Sequence, residues 1–163
     1  VTYKAKTYDW NRMIEGLVAV MRDITGNQVP IYSRSRSADH KGYPFIVFDL
    51  RQHPEIVQSV EKTHEIFDRV ISVQCWAETD GEANAICDDL QTLLYDFKYR
   101  EQLKSYGIIF EKVVERDHSS DVLAPFLQAS YYGFDMVVQL VRNYTSEYPN
   151  ITKYGGSNND SND

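Results

Sequence analysis

Residues 66–97 constrain the fold more tightly than any other stretch. From Ile66 to Ala77 the chain alternates, with Phe67, Ile71, Val73, Cys75 and Ala77 on one side of an extended backbone and Ile66, Val70 and Trp76 on the other. That period of two marks a strand. Within two residues the period changes. Thr79-Asp80-Gly81-Glu82 forms a capping box, in which the threonine hydroxyl accepts from the Glu82 backbone N–H and the carboxylate reaches back. Ala83, Ile86, Cys87, Leu90, Leu93, Leu94 and Phe97 then repeat at helical spacing. The pattern predicts one helix from about Asp80 to Tyr99, roughly 30 Å long at about 1.5 Å per residue. A strand that feeds directly into an amphipathic helix must share an apolar layer with it, so this chain is a sheet with helices laid on it.

The flanking segments extend that scheme. Trp10, Met13, Ile14, Leu17, Val18 and Met21 make a helical stripe between about Asp9 and Thr25, with Thr7 or Asp9 as its cap and Gly26 as its stop. Gly16 inside that helix costs about 1 kcal/mol relative to alanine, which points to a close neighbour. Asn27 to Tyr32 reads as a short strand or extended lead, with Pro30 suited to a sheet edge. Ser33 to Gly42 has no periodicity and reads as a flexible loop, followed by a strand over Tyr43 to Leu50 that is buried on much of both faces. Gln52 to Thr63, broken by Pro54, is a strand extension or an irregular arm. Gly107 marks a turn into a strand over Ile108–Glu115 whose Ile109, Glu111, Val113 and Glu115 share a face. Asp117 to Asp121 is a polar loop. Phe126 to Arg142 is a β-rich run with Phe126, Tyr132, Phe134, Met136, Val138 and Leu140 on one side. That run is longer than an ordinary strand, so part of it projects beyond the sheet or bends near Gly133. The expected fold is α+β, a two-layer sandwich with a mainly antiparallel sheet of four to five strands and two helices packed on one face. It occupies residues 1–143, and 144–163 form a polar C-terminal tail.

Bulk properties narrow the partners. A chain of 163 residues buries about 70 % of its unfolded surface, enough for a core without metal or disulfide staples. No apolar run approaches the roughly 20 residues of a membrane span, and Val1 to Trp10 lacks the apolar core of a signal peptide. The expectation is a soluble protein made inside a cell, with no membrane partner. The formal charge of −7 disfavours general nucleic-acid binding, which needs clustered cations. Cys75 and Cys87 form no CxxC pair and read as buried free thiols. Sequons at Asn143, Asn150 and Asn159 read as chance matches in a polar segment.

No catalytic pattern in the chain is complete. A metal-dependent nuclease of the PD-(D/E)xK type needs an acid on one strand and an acid-x-lysine on the next. Asp49 is a possible first acid, but Glu111-Lys112-Val113 has lysine at the wrong offset, and Asp96-Phe97-Lys98 falls on the predicted helix. His40, His53, His64 and His118 lie in loops or ambiguous arms without metal-ligand spacing. Ser119 and Ser120 beside His118 lack a nucleophile elbow, and no phosphate-cradling glycine motif is present. The expectation is therefore no catalytic residue, no metal and no cofactor.

Two features remain. Ser33–Gly42 carries Arg34, Arg36 and Lys41 against Asp39, a net of +2, while Asp80–Lys98 carries Asp80, Glu82, Asp88, Asp89 and Asp96 against Lys98, a net of −4. Such runs are either solvated surface or, because unlike patches on one molecule suit head-to-tail contact between copies, an interface. Tyr131 and Tyr132 in Ser130-Tyr131-Tyr132-Gly133-Phe134 are either core plus a solvated face or, as large amphipathic side chains, the centre of an interface.

The order of several short motifs resembles a family of small tailed-bacteriophage neck proteins, the tail-terminator-like proteins. After the first helix, Gly42-Tyr-Pro-Phe-Ile-Val-Phe48 is similar to the family's "YPYI" opening strand, and Arg69-Val-Ile-Ser-Val-Gln-Cys-Trp-Ala77 to its "ISFxAYS" strand before an acidic helix. Leu94-Tyr-Asp-Phe-Lys98, the "LKxxGI" turn over Leu103 to Ile108 and the Tyr-rich closing strand Tyr131 to Asp135 continue the order, so the resemblance spans about Asp9 to Arg142. The arm from Gln52 to Thr63 and the segment from Tyr144 depart from it. The resemblance implies a structural virion protein that forms a homo-oligomeric ring, usually hexameric. Such a ring ends tail-tube growth, contacts the tail-tube protein and a head-completion or connector protein, and is assembled in the host cytoplasm. DNA would pass through without specific binding, since a repulsive lumen lined by the acidic helix face or by strand carboxylates lets a duplex slide. The alternatives are a head-completion or connector adaptor, a small metal-dependent nuclease, and an unrelated binding domain.

Overall fold

The computed structural model describes residues 3–52, 64–115, 119–124 and 127–142. The N-terminal helix α1 (Trp10–Ile24) starts where the Asp9 carboxylate accepts from the Arg12 backbone N–H at 3.1 Å. A short strand β1 (Ile31–Ser33) is followed by a 3-10 turn (Arg34–Asp39), then by β2 (Phe45–Gln52) and β3 (Ile66–Ala77). Next come α2 (Asp80–Leu93), α3 (Phe97–Ser105), β4 (Ile109–Glu115), β5 (Ser119–Ala124) and β6 (Leu127–Val141). The strands form one sheet in the order β1-β2-β3-β6-β4, antiparallel except for the β1–β2 pair. β5 pairs with the start of β6 on the edge that β4 occupies further along. The α+β architecture expected from the sequence is present: among the described residues five strands lie side by side, within the expected count, β5 pairs with β6 off that path, and three α-helices stand where two were expected.

The strand pattern determines which side of the sheet is covered. Phe67, Ile71, Val73 and Cys75 of β3 lie in register with Leu140, Met136, Phe134 and Tyr132 of β6, and Ile46 and Phe48 of β2 sit opposite Cys75 and Val73. All of these except Tyr132 are buried in one cluster with Met13, Leu17 and Val20 of α1, Cys87 and Leu90 of α2, and Leu103 of α3. Burying each such side chain stabilises the fold by about 1.5–3 kcal/mol before entropy is counted. The helices therefore lie on the face that the odd-numbered residues of β3 present, as the alternation predicts. Beyond Ser130, which pairs with Ala77, β6 continues as a hairpin with β5, the projection expected from its length.

Gly16 has the close neighbour its position implied. A Cβ there would lie 2.4 Å from the Tyr106 Cγ, so α1 can approach the end of α3 only without a side chain at this turn. At the opposite end of β3, the Arg142 guanidinium bonds the Glu65 carboxylate at 2.7 Å and lies over the Phe67 ring at 4.3 Å. These contacts tie the end of β6 to the start of β3.

Four expectations need correction. The helix from Asp80 does not run to Tyr99: the chain turns after Leu94, and the Asp96 carboxylate accepts from the Lys98 N–H at 2.8 Å to cap a separate α3. Phe97, counted in the apolar stripe, is consequently 75 % exposed. Ser33–Gly42 is not an irregular loop, because Ser37 Oγ donates to the Arg34 carbonyl at 2.9 Å and Arg36 pairs with Asp39 at 3.2 Å, closing a 3-10 turn. In β4 a bulge between Phe110 and Lys112 shifts the register. Ile109, Lys112 and Val114 fall on the open face and Phe110 and Val113 on the helix side, so Ile109 and Val113 do not share a face as expected. Finally, Ser119–Asp121 belong to β5 rather than to a loop. The arm at 53–63, Phe126 and the segment 143–163 lie outside the described residues.

Candidate interaction surface

The face of the sheet away from the helices is built from the alternate residues of the same strands. Cross-strand register places Phe45, Trp76 and Tyr131 in one row, Asp49, Ser72, Asp135 and Val114 in another, and Ile66 beside Val141 at the far end. Among the described residues no α-helix covers these rows. One end is roofed by the 3-10 turn, and Phe45 and Val47 are buried there although they face away from the helical core.

Aromatic stacking organises that end. His40 stacks on Phe45 at 4.2 Å between ring centroids, Phe45 lies nearly parallel to Trp76 at 6.0 Å, and Trp76 stacks on Tyr131 at 4.5 Å. Offset stacking of this kind adds about 0.5–1.5 kcal/mol per pair beyond the area buried. Arg34, Ser37, His40, Phe45, Gln74 and Trp76 contribute to the wall of a cavity of about 350 Å³ beneath the turn. Trp76 Nε1 and His40 Nδ1 are buried with no hydrogen-bond partner among the described residues.

At the opposite end Ile66 and Val141 are 63 % and 40 % exposed, Ile109 one row further in is 45 % exposed, and Val114 in the middle row is also 45 % exposed, all four on the open side. Between the two ends the polar row is closed on itself. Ser72 Oγ donates to the Asp135 carboxylate at 2.6 Å, and Asp49 lies 3.6 Å from the guanidinium groups of both Arg34 and Arg51. The Asp49 pairs are half-exposed and worth little individually.

The structure distributes the sequence-selected residues between two surfaces. Arg34 and Arg36 lie on the 3-10 turn and Lys41 just after it, all exposed, and Tyr131 stands in the aromatic row of the open face. Tyr132 points the other way and packs against the helical core. Asp80, Glu82, Asp88 and Asp89 are exposed on α2, on the helix side. Thr79 Oγ1 accepts from the Glu82 backbone N–H at 3.3 Å, the forward half of the expected capping box.

The catalytic candidates do not converge. Asp49 on β2 is three strand spacings from β4, about 14 Å at about 4.8 Å each. Glu111 sits at the β4 bulge, so it, Lys112 and Asp49 form no common centre. Lys98 bonds Asp23 at 3.2 Å, which raises its pKa and holds it as a cation. Cys75 and Cys87 are buried free thiols, and the hydrogen bond between them, reinforced by burial, pushes the Cys75 pKa well above its ordinary value. A protonated, enclosed thiol is a poor nucleophile. His64 is exposed at a positive φ of 60°, and His53 and His118 lie outside the described residues. Among the described residues no three His, Cys, Asp or Glu side chains are grouped as a metal site would require. No described helix is long and apolar enough to cross a membrane.

Sequence reasoning missed the open face as a unit. Its signal was present in the even-numbered positions of β3, where Ile66, Val70 and Trp76 are too apolar for a solvated face, but the bulge hid the contribution of β4. No protein-family model matches the chain, and no curated protein matches it.

Proposed function

We propose that this protein is a structural subunit of a tailed-phage neck, a tail-terminator-like protein that assembles into a ring, ends the growth of the tail tube and joins the tail to the head connector. The observation that carries the reading is the asymmetry of the sheet: helices fill one face, while the described residues of the other present a stacked aromatic row and a basic turn at one end and exposed aliphatic side chains, Ile66 and Val141, at the other. Exposed apolar patches on an otherwise polar protein mark contact surfaces. The ordered motifs from Asp9 to Arg142 supply the particular assembly, with a hexameric ring, a tail-tube partner on one side and a head-completion or connector protein on the other. The acidic balance suits a lumen through which DNA moves without being held.

Imaging of the particle that contains this chain tests the reading through copy number and axial position. The expected result is a symmetric ring on the particle axis between connector and tube. Density seated against the portal with no contact to the tube would instead favour a head-completion adaptor, and absence from the particle would refute both.

A further inference from the structure

We propose that the open face of the sheet is covered by a second copy of this chain, whose acidic α2 surface docks against the basic turn at 34–41. The inference rests on the ring-subunit reading above and gives that ring a polarity, open face to helical back.

The charges lie at one end of the sheet. β2 begins directly after the turn, and its Phe45 pairs with Trp76 near the end of β3, just before α2 begins. The cations and the carboxylates therefore sit at the same end of the sheet but on opposite faces. Within one molecule the sheet separates them, so the attraction is available only between molecules. A contact between unlike surfaces is heterologous, the kind that builds a ring when the rotation between neighbours closes and an open filament when it does not. A twofold contact of open face on open face would instead bring two cationic turns onto one surface.

Exposed apolar side chains also correspond at the middle of the sheet. On the open face the cations stand at the aromatic end and the exposed aliphatic residues lie further down. On the helical side, α2 runs back along β3 from its carboxylates to Tyr95 and Phe97, which are 52 % and 75 % exposed. Tyr95 Oη accepts from the Val113 N–H at 2.9 Å, and Val113 is in register with Met136 and through it with Ile71, which places Tyr95 midway along the sheet, beside the level of Val114 on the open face. Two copies in the same orientation along the strands thus oppose cation to carboxylate and Tyr95 to Val114. In this arrangement the α2 carboxylates face the neighbouring subunit rather than the lumen.

A charge exchange tests the pairing. One variant carries Arg34→Glu, Arg36→Glu and Lys41→Glu; the other carries Glu82→Lys, Asp88→Lys and Asp89→Lys. All six side chains are exposed, and circular dichroism with thermal melting checks that each variant folds. Sedimentation velocity at low salt is expected to show self-association of the unmodified chain, a loss of about tenfold or more in each variant alone, and recovery in their equimolar mixture, where reversed turns meet reversed helices. Recovery in the mixture is a readout that misfolding cannot produce. If the variants associate like the unmodified chain, or if the mixture stays as dissociated as its components, the proposed pairing is wrong while the ring reading stands. If the unmodified chain remains monomeric up to its solubility limit, the proposed pairing is overturned, while the ring reading answers to the imaging of the particle.

Discussion

The two faces of one sheet are made by the same strands, yet they follow different rules. On the helix side Phe134, Met136, Ile71 and Leu90 are completely enclosed, and backbone approach is tuned so closely that Gly16 admits no side chain. On the other side Phe45, Trp76 and Tyr131 stack beneath a 3-10 turn, while Ile66, Ile109, Val114 and Val141 stand in solvent. The first face is a finished interior whose residues answer to volume. The second leaves apolar side chains in solvent among the described residues, and it is the surface that the proposed contact between copies would bury. Substitutions on the two faces should therefore differ in kind: those on the helix side alter stability, and those on the open side alter association.

The largest contrast comes from truncating one aromatic on the closed side. Phe134→Ala removes a fully buried ring and should cost about 3–5 kcal/mol in urea denaturation; a loss below about 1 kcal/mol would show that the closed face is loosely packed. Gly16→Val comes next. Its Cβ would overlap the Tyr106 ring, so a loss of about 1–3 kcal/mol is expected, shrinking in a Tyr106→Ala background because the two positions share one contact. Thr79→Ala removes the acceptor at the start of α2 and should cost about 1 kcal/mol. At the small end, Ile66→Ala on the open face should change the stability of the isolated chain by no more than about 0.5 kcal/mol. A cost there comparable to that of Phe134→Ala would erase the distinction between the faces. Thiol chemistry sharpens it without mutation: Cys75 and Cys87 should resist an aromatic disulfide reagent in the native state and both react in denaturant, since both lie within the closed layer.

Much of the closed layer was legible in the sequence. Two-residue alternation over Ile66–Ala77 and the stripes of α1 and α2 identified the residues that meet, and the apolar even-numbered residues of β6 identified their partners. What escaped has physical causes. Asp96 can cap a helix as readily as it can sit in one, and Phe97 completed a stripe it does not join, so the break between α2 and α3 was invisible to periodicity. The bulge at Glu111 exchanges the faces of β4 with no change in composition. The 3-10 turn over Arg34–Asp39 is held by side-chain contacts of Ser37 and Arg36 and has no apolar period to reveal it. The charges of the candidate surface could be read, but not that the two patches stand on opposite sides of one sheet, because that depends on the register between β2 and β3. Tyr131 and Tyr132, adjacent in sequence, were bound to separate onto the two faces of a strand, and only the first could belong to the open one.

In the proposed assembly the open face of one copy meets the helical back of the next. The most direct measurement is zero-length carbodiimide cross-linking of the assembled protein prepared from an equal mixture of light and heavy nitrogen-labelled chains. The account predicts mixed-isotope peptide pairs that join Lys41 to Glu82, Asp88 or Asp89. An assembly whose cross-links join other surfaces, or which joins these residues only within a single chain, would contradict it.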